Sequence, residues 1–174
     1  MMSTRLRISN LADHPEAVPV IRTWFETEWA AYYGPGGPGD AGQDLLAYSS
    51  RGKLPVGLIA FYEDQLCGIA ALKAHSVSTH THLGPWAAAS LVLPQFRGRG
   101  IGASLLRAIE ELARGFGYST IYCGTATAMG LLERNGWQFM ERVRHDGEDV
   151  SIYLKALSQN AAPDTYPVAR VPRR

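Results

Sequence analysis

The residues best suited to chemistry are the run Arg97-Gly98-Arg99-Gly100-Ile101-Gly102. It follows an apolar stretch, residues 86–93, and opens a segment in which Ile101, Leu105, Ile109 and Leu112 recur at helical spacing. A glycine-rich turn from a strand into a helix presents unpaired backbone N–H groups at the positive end of the helix dipole, where an anion is stabilised. Gly100 and Gly102 let the main chain approach a bulky pyrophosphate, and Arg97 and Arg99 add positive charge. A tight strand-to-helix connection also calls for glycine on conformational grounds alone, so the turn by itself leaves both readings open. It lacks the Gly-Lys-Ser/Thr of a P-loop and the later acidic residue of a dinucleotide fingerprint. A second cluster, His80-Thr81-His82 with His75 nearby, has no further ligand group beside it in the sequence, so no metal is expected.

The elements that must position this turn are readable from periodicity. Residues 5–11 alternate weakly as a first strand, and Asp13-His14-Pro15-Glu16 supplies a helix start. Val18, Ile21, Phe25 and Trp29 then mark one apolar face of a helix running to Tyr33, with Trp24, Glu28 and Tyr32 on a neighbouring face. Gly34 to Gly39 breaks the pattern before a shorter helix around residues 43–49. Two strands follow, 56–61 and 66–72, joined across Glu63-Asp64-Gln65 as a hairpin. Residues 86–93 are apolar enough for a central strand buried on both faces. After the turn come a helix to about Gly115, a strand at 118–123, a short helix at 126–134 and a closing hairpin. Residues 1–157 read as a single domain, and 158–174, rich in proline and arginine, as a disordered tail.

The 174 residues carry a formal net charge of +1 and a pI near 7.8, which gives no general reason to expect nucleic acid or an anionic membrane as the main partner. The two cysteines, Cys67 and Cys123, lack the spacing of a zinc or redox motif and fit a reduced, cytoplasmic protein. Neither a signal peptide nor a membrane-spanning run is visible.

The turn and the order of elements from about Arg5 to Leu157 resemble the GNAT superfamily of N-acetyltransferases, whose motif is Gln/Arg-x-x-Gly-x-Gly/Ala. The resemblance implies an α/β fold with a mixed, mostly antiparallel sheet of about six to seven strands and about four helices. It implies acetyl-coenzyme A as co-substrate, lying where the fourth and fifth strands splay apart. Its pantetheine would run along Leu91, Val92 and Leu93, and its pyrophosphate would rest on Arg97 to Ala103, with the Ser104 hydroxyl adding a contact. The backbone N–H of Leu91 is then the expected donor to the thioester carbonyl. The acceptor would be a primary amine of a small molecule or peptide, attacking directly in a ternary complex, with Trp24, Glu28 and Tyr32 lining its site. The resemblance also implies a homodimer.

A protonated amine must lose a proton before attack. Residues 86–93 contain no carboxylate, so Glu28 and His82 are the leading general bases, with Glu26, His75 and His80 behind them. The short helix departs from the family. Leu131-Leu132-Glu133-Arg134-Asn135-Gly136-Trp137 resembles the common Tyr-Glu-Lys-x-Gly-Phe/Trp ending, but Leu132 stands where a tyrosine commonly protonates the departing thiolate. Cys123 and Tyr122 are possible replacements, and a non-catalytic acyl-coenzyme A-binding sensor is the alternative reading.

Overall fold

The computed structural model describes residues 5–158, so the expected tail, apart from its first residue, lies outside the described residues. Seven strands form one sheet: β1 (Leu6–Asn10), β2 (Val56–Tyr62), β3 (Gln65–Lys73), β4 (Trp86–Val92), β5 (Thr120–Thr125), β6 (Gln138–His145) and β7 (Glu148–Ala156). Their order is β1-β2-β3-β4-β5-β7-β6, antiparallel except for β4 and β5. The helices are α1 (Val18–Glu28), the single turn α2 (Ala30–Tyr33), α3 (Ala41–Tyr48), α4 (Ile101–Gly115) and α5 (Met129–Arg134).

Local chemistry accounts for most boundaries. Positive φ at Glu63 and Asp64 makes the tight turn between β2 and β3. Asp40 caps α3 by accepting from Gln43 N–H at 3.0 Å. Gly117, at φ +91, follows the end of α4, where Tyr118 N–H returns to Ala113 O. One expectation needs correction: the first helix does not run unbroken to Tyr33. Two 3-10 turns precede it, and Trp29 leaves the helical region at φ −117, ψ 51. Its ring packs against Phe25 and Tyr33, which leaves Glu28 on the last turn of α1.

Side chains alternate across a strand, so each layer can be assigned to a face. Ile59, Ile69, Ala71 and Leu91 pack beneath α1 and α3, whereas Ala60, Ala70, Leu72, Ala87, Ile121 and Tyr153 pack beneath α4 and α5. On the α1 face the 74–85 loop lies over the sheet, with Val77 buried against Trp86 and Ile152. A Cβ at Gly124 would stand 2.9 Å from Val77 Cγ2, so the loop seats because that residue is glycine.

A candidate cleft between the fourth and fifth strands

β4 and β5 touch at a single pair, Trp86 with Tyr122, where Tyr122 N–H donates to Pro85 O at 3.0 Å. Beyond that point they diverge around a cavity of about 1040 Å³. The central position expected of residues 86–93 is observed, but burial on both faces is not: Ser90 is exposed, because the neighbouring strand has moved away.

A bulge shapes the β4 wall. Ala71 pairs with Ala88 and Ile69 with Leu91, so Ala89 and Ser90 face only Ala70 and drop out of the ladder. Ala89 takes φ +52 to make the step. Leu93 N–H donates to Cys67 O at 2.9 Å, and antiparallel pairs alternate between bonded and non-bonded. The Leu91 main chain is therefore directed at β3 and that of Val92 at the cleft. This places Leu91 on the wall but turns its N–H away from the role expected of it, and leaves Leu93, already bonded, off the cavity lining.

The glycine-rich turn closes one end of the cavity. Gly98 and Gly100 both have φ +76, and Gly100 is the residue from which α4 starts without a side-chain cap. Ile101, Gly102 and Ala103 are the first three helical residues, whose N–H groups have no partner within the helix. Ser104 N–H already closes on Gly100 O at 3.0 Å, and its hydroxyl accepts from Arg107. The Ser104 N–H is thus committed to the helix, and the residue does not line the cavity.

The two arginines divide. Arg97 lines the cavity, its Nε donating to Val92 O at 3.0 Å, while Arg99 stacks over Tyr62 with its guanidinium carbon 4.9 Å from the ring centroid. Arg134, from α5, also lines the cavity. Its contribution was hidden in the sequence because a basic residue in a last helical turn is ordinary.

The opposite side is acidic. Glu28 and Trp29 line the cavity from the end of α1, and Glu148 lines it from the start of β7. Glu148 shares strand parity with Val150 and Ile152, hence with the α1 face. In the sequence Glu148 belongs to the closing hairpin and carries no site signal, and no spacing rule brings it to residue 28. Trp24 packs into the cluster under α1, and Tyr32, 43% exposed, meets Tyr33 edge-on; neither lines the cavity.

His82 is also off the cavity, exposed and stacked on His80. His80, a secondary base candidate in the sequence, is only 8% exposed: Nδ1 meets Thr79 Oγ1 at 2.8 Å and Nε2 contacts Glu141. His80 therefore fastens the loop to β6. Cys123 lines the cavity, with its thiol pushed up to about 12 by burial, so it stays neutral. Among the described residues no group of His, Cys, Asp and Glu is arranged to hold a metal, and no helix is long and apolar enough to cross a membrane.

Leu132 is 2% exposed and packs with Ile101, Phe96 and Trp137, while Leu131 takes the place on the cavity wall. Leu132→Tyr is therefore expected to overpack the core and bury a hydroxyl, at a cost of about 1–3 kcal/mol. For a chain of this size that lowers Tm by roughly 2–4 °C per kcal/mol. Thermal unfolding and thiol release should show a less stable protein with no gain in turnover; faster turnover at unchanged Tm would show that only an acid is missing.

Residues 20–137 match the acetyltransferase (GNAT) family. No curated protein sequence shows significant similarity to the chain. Among solved structures, the chain resembles yncA from Salmonella typhimurium, bound to its cofactor acetyl-CoA, at TM-score 0.66 and 18% identity, covering 94% of this chain and 100% of that one. An aminoglycoside 6'-N-acetyltransferase complexed with coenzyme A superimposes at TM-score 0.71 with 14% identity, covering 90% and 99%. Arabidopsis thaliana Naa50, in complex with the bisubstrate analogue CoA-Ac-MVNAL, does so at 0.63 with 16% identity, covering 88% and 99%.

Proposed function

Because the chain belongs to the acetyltransferase (GNAT) family, we propose that it transfers an acetyl group from acetyl-coenzyme A to a primary amine of a small molecule or peptide, by direct attack in a ternary complex. The observation that carries this reading is the polarity of the cleft. Unpaired N–H groups of residues 101–103, Arg97 and Arg134 stand on one side, and carboxylates stand on the other. The fit is supported at Gly102, where a Cβ would meet nothing closer than Leu131 Cδ2 at 3.6 Å. That space lies open beside the free N–H groups.

Acetyl-coenzyme A supplies the activated acetyl group and a thiolate that can leave. Ile101, Gly102 and Ala103 donate N–H groups to its pyrophosphate, and Arg97 and Arg134 offset the charge. Val92, whose main chain is directed at the cleft, offers an edge to the extended pantetheine. Ala89 and Ser90, released from the ladder by the bulge, hold the N–H groups best placed to stabilise charge on the thioester oxygen. Glu28 takes the proton of the incoming ammonium, directly or through water, and Trp29 covers the amine. Thiols leave without full protonation, being far more acidic than alcohols, so transfer does not require a tyrosine at position 132.

A homodimer in the cytoplasm completes the proposal. Two unpaired cysteines support a reducing setting, and Phe139 and Met140, exposed on the edge strand β6, offer an apolar contact. The test is thermal unfolding with acetyl-coenzyme A, followed by thiol release with a panel of amines. Stabilisation and amine-dependent thiol release are expected. Stabilisation without release from any amine would favour a cofactor sensor, and no stabilisation at high ligand concentration would overturn both readings.

A further inference from the structure

Lys155 does not line the cleft, yet it joins two of the elements that do. From near the end of β7 its Nζ contacts Glu110 on α4 and donates to Asn135 O, at the end of α5, at 2.8 Å. Glu110 is 2% exposed, and its Oε2 has no hydrogen-bond partner among the described residues. A carboxylate so buried is costly, and a packed apolar pair of similar size in place of such an ion pair is often as stable or more so. Stability alone therefore gives no reason for the pair.

The orientation of α5 does. Six residues are too few to hold a helix without tertiary support, yet Leu131, Arg134 and Asn135 all line the cavity. Near its start α5 meets the glycine-rich turn, where Leu131 Cδ2 lies 3.6 Å from the position a Gly102 Cβ would take. At its other end the Lys155 ammonium caps the Asn135 carbonyl, at the negative end of the helix dipole, and ties it to Glu110, about two turns further along α4. Tyr153, on the same face of β7 as Lys155, donates to Glu133 Oε1 at 2.7 Å. The Arg134 guanidinium lies back over Gly130, with Nη1 2.9 Å from where a Cβ there would stand, so its place in the cavity follows the backbone of α5.

We propose that Lys155 and Glu110 are positioning residues that hold α5, and with it Arg134, against the cofactor's phosphates. This rests on the acetyltransferase reading above. Neither residue touches the cofactor or moves a proton; both act on its affinity through Arg134.

Lys155→Met alone leaves a buried carboxylate unpaired and is expected to unfold early, so the test is the double variant Glu110→Leu/Lys155→Met. Its Tm should equal or exceed that of the wild type, while calorimetry shows coenzyme A bound about tenfold more weakly. With an acceptor amine the KM for acetyl-coenzyme A should rise by the same factor and kcat stay within about twofold. In an Arg134→Ala background the double replacement should weaken binding no further, because the residue it acts through has gone. Amide exchange of residues 129–136 should quicken in the double variant while that of α4 stays the same. Wild-type affinity at wild-type Tm would overturn the inference. So would a fall of Tm together with kcat, which marks a purely structural pair, or a full loss of affinity added to that of Arg134→Ala. If the wild-type protein binds no coenzyme A but exchange at residues 129–136 still quickens selectively, the hold on α5 stands and the acetyltransferase reading falls; unchanged exchange there would overturn the hold itself.

Discussion

Gly102→Glu is expected to abolish acetyl-coenzyme A binding while the free protein unfolds at the same temperature or slightly above it. These opposite effects come from one position. Gly102 does not occupy a left-handed conformation, and a Cβ there would meet Leu131 and Val92 only at ordinary contact distances, 3.6 and 4.0 Å. Neither backbone nor packing therefore demands glycine. In the first turn of α4 a carboxylate also interacts favourably with the helix dipole, by about 0.3–1 kcal/mol. The same carboxylate would occupy the space beside the N–H groups of residues 101–103 and repel a pyrophosphate. Calorimetry should show at least a hundredfold loss of affinity, on the order of 3 kcal/mol, and ligand-induced stabilisation should vanish. Gly102→Ala should fold well and bind more weakly than wild type. Unchanged affinity in Gly102→Glu would remove the turn as the phosphate site.

Glu28→Gln should produce the largest kinetic loss, about 10²- to 10⁴-fold in kcat near neutral pH, as expected for removal of a general base. Acetyl-coenzyme A affinity should stay the same, because Glu28 ends α1, which packs on the face of the sheet opposite α4 and the glycine turn that opens it. The deficit should shrink as pH rises toward the pKa of the acceptor amine, near 10 for an alkylamine. There the substrate arrives already deprotonated and the missing carboxylate matters less. A uniform deficit at every pH would mean that Glu28 positions the acceptor without taking its proton, and an undiminished rate would exclude it from the reaction. Glu28→Asp should recover part of the rate, since a carboxylate remains. Fluorescence-detected unfolding of each variant separates these effects from loss of structure; Glu28 is exposed and pairs with nothing in the described residues, so little change is expected there.

The parts of this protein that were legible in the sequence are those set by local chemistry. Helical spacing at Ile101, Leu105 and Ile109, the turn signals at residues 63–65 and the glycines before α4 each act over a few residues, and each element stands close to where those signals place it. The glycine-rich turn was legible for the same reason: its unpaired N–H groups belong to consecutive residues. The break at Trp29 was not. Its aromatic neighbours Phe25 and Tyr33 keep helical spacing across a residue that has left the helix, so periodicity shows no interruption. That His82 and Tyr32 lie off the cavity was hidden for a similar reason, since proximity in the chain to a central strand or a helix does not specify which way a loop or a single turn faces.

What the sequence determined by itself is the order of the elements, the glycine-rich turn before α4 and the resemblance to the family that residues 20–137 match. Tertiary structure decided which groups face one another. The splay of β4 from β5, the bulge that redirects Leu91 and frees Ala89 and Ser90, the burial of Leu132 beside Leu131 on the wall, and the approach of Glu148 to the cavity of Glu28 all depend on pairing register and strand parity. A one-residue change in either exchanges the two faces of a strand, and no local run of side chains records which alternative the sheet adopts.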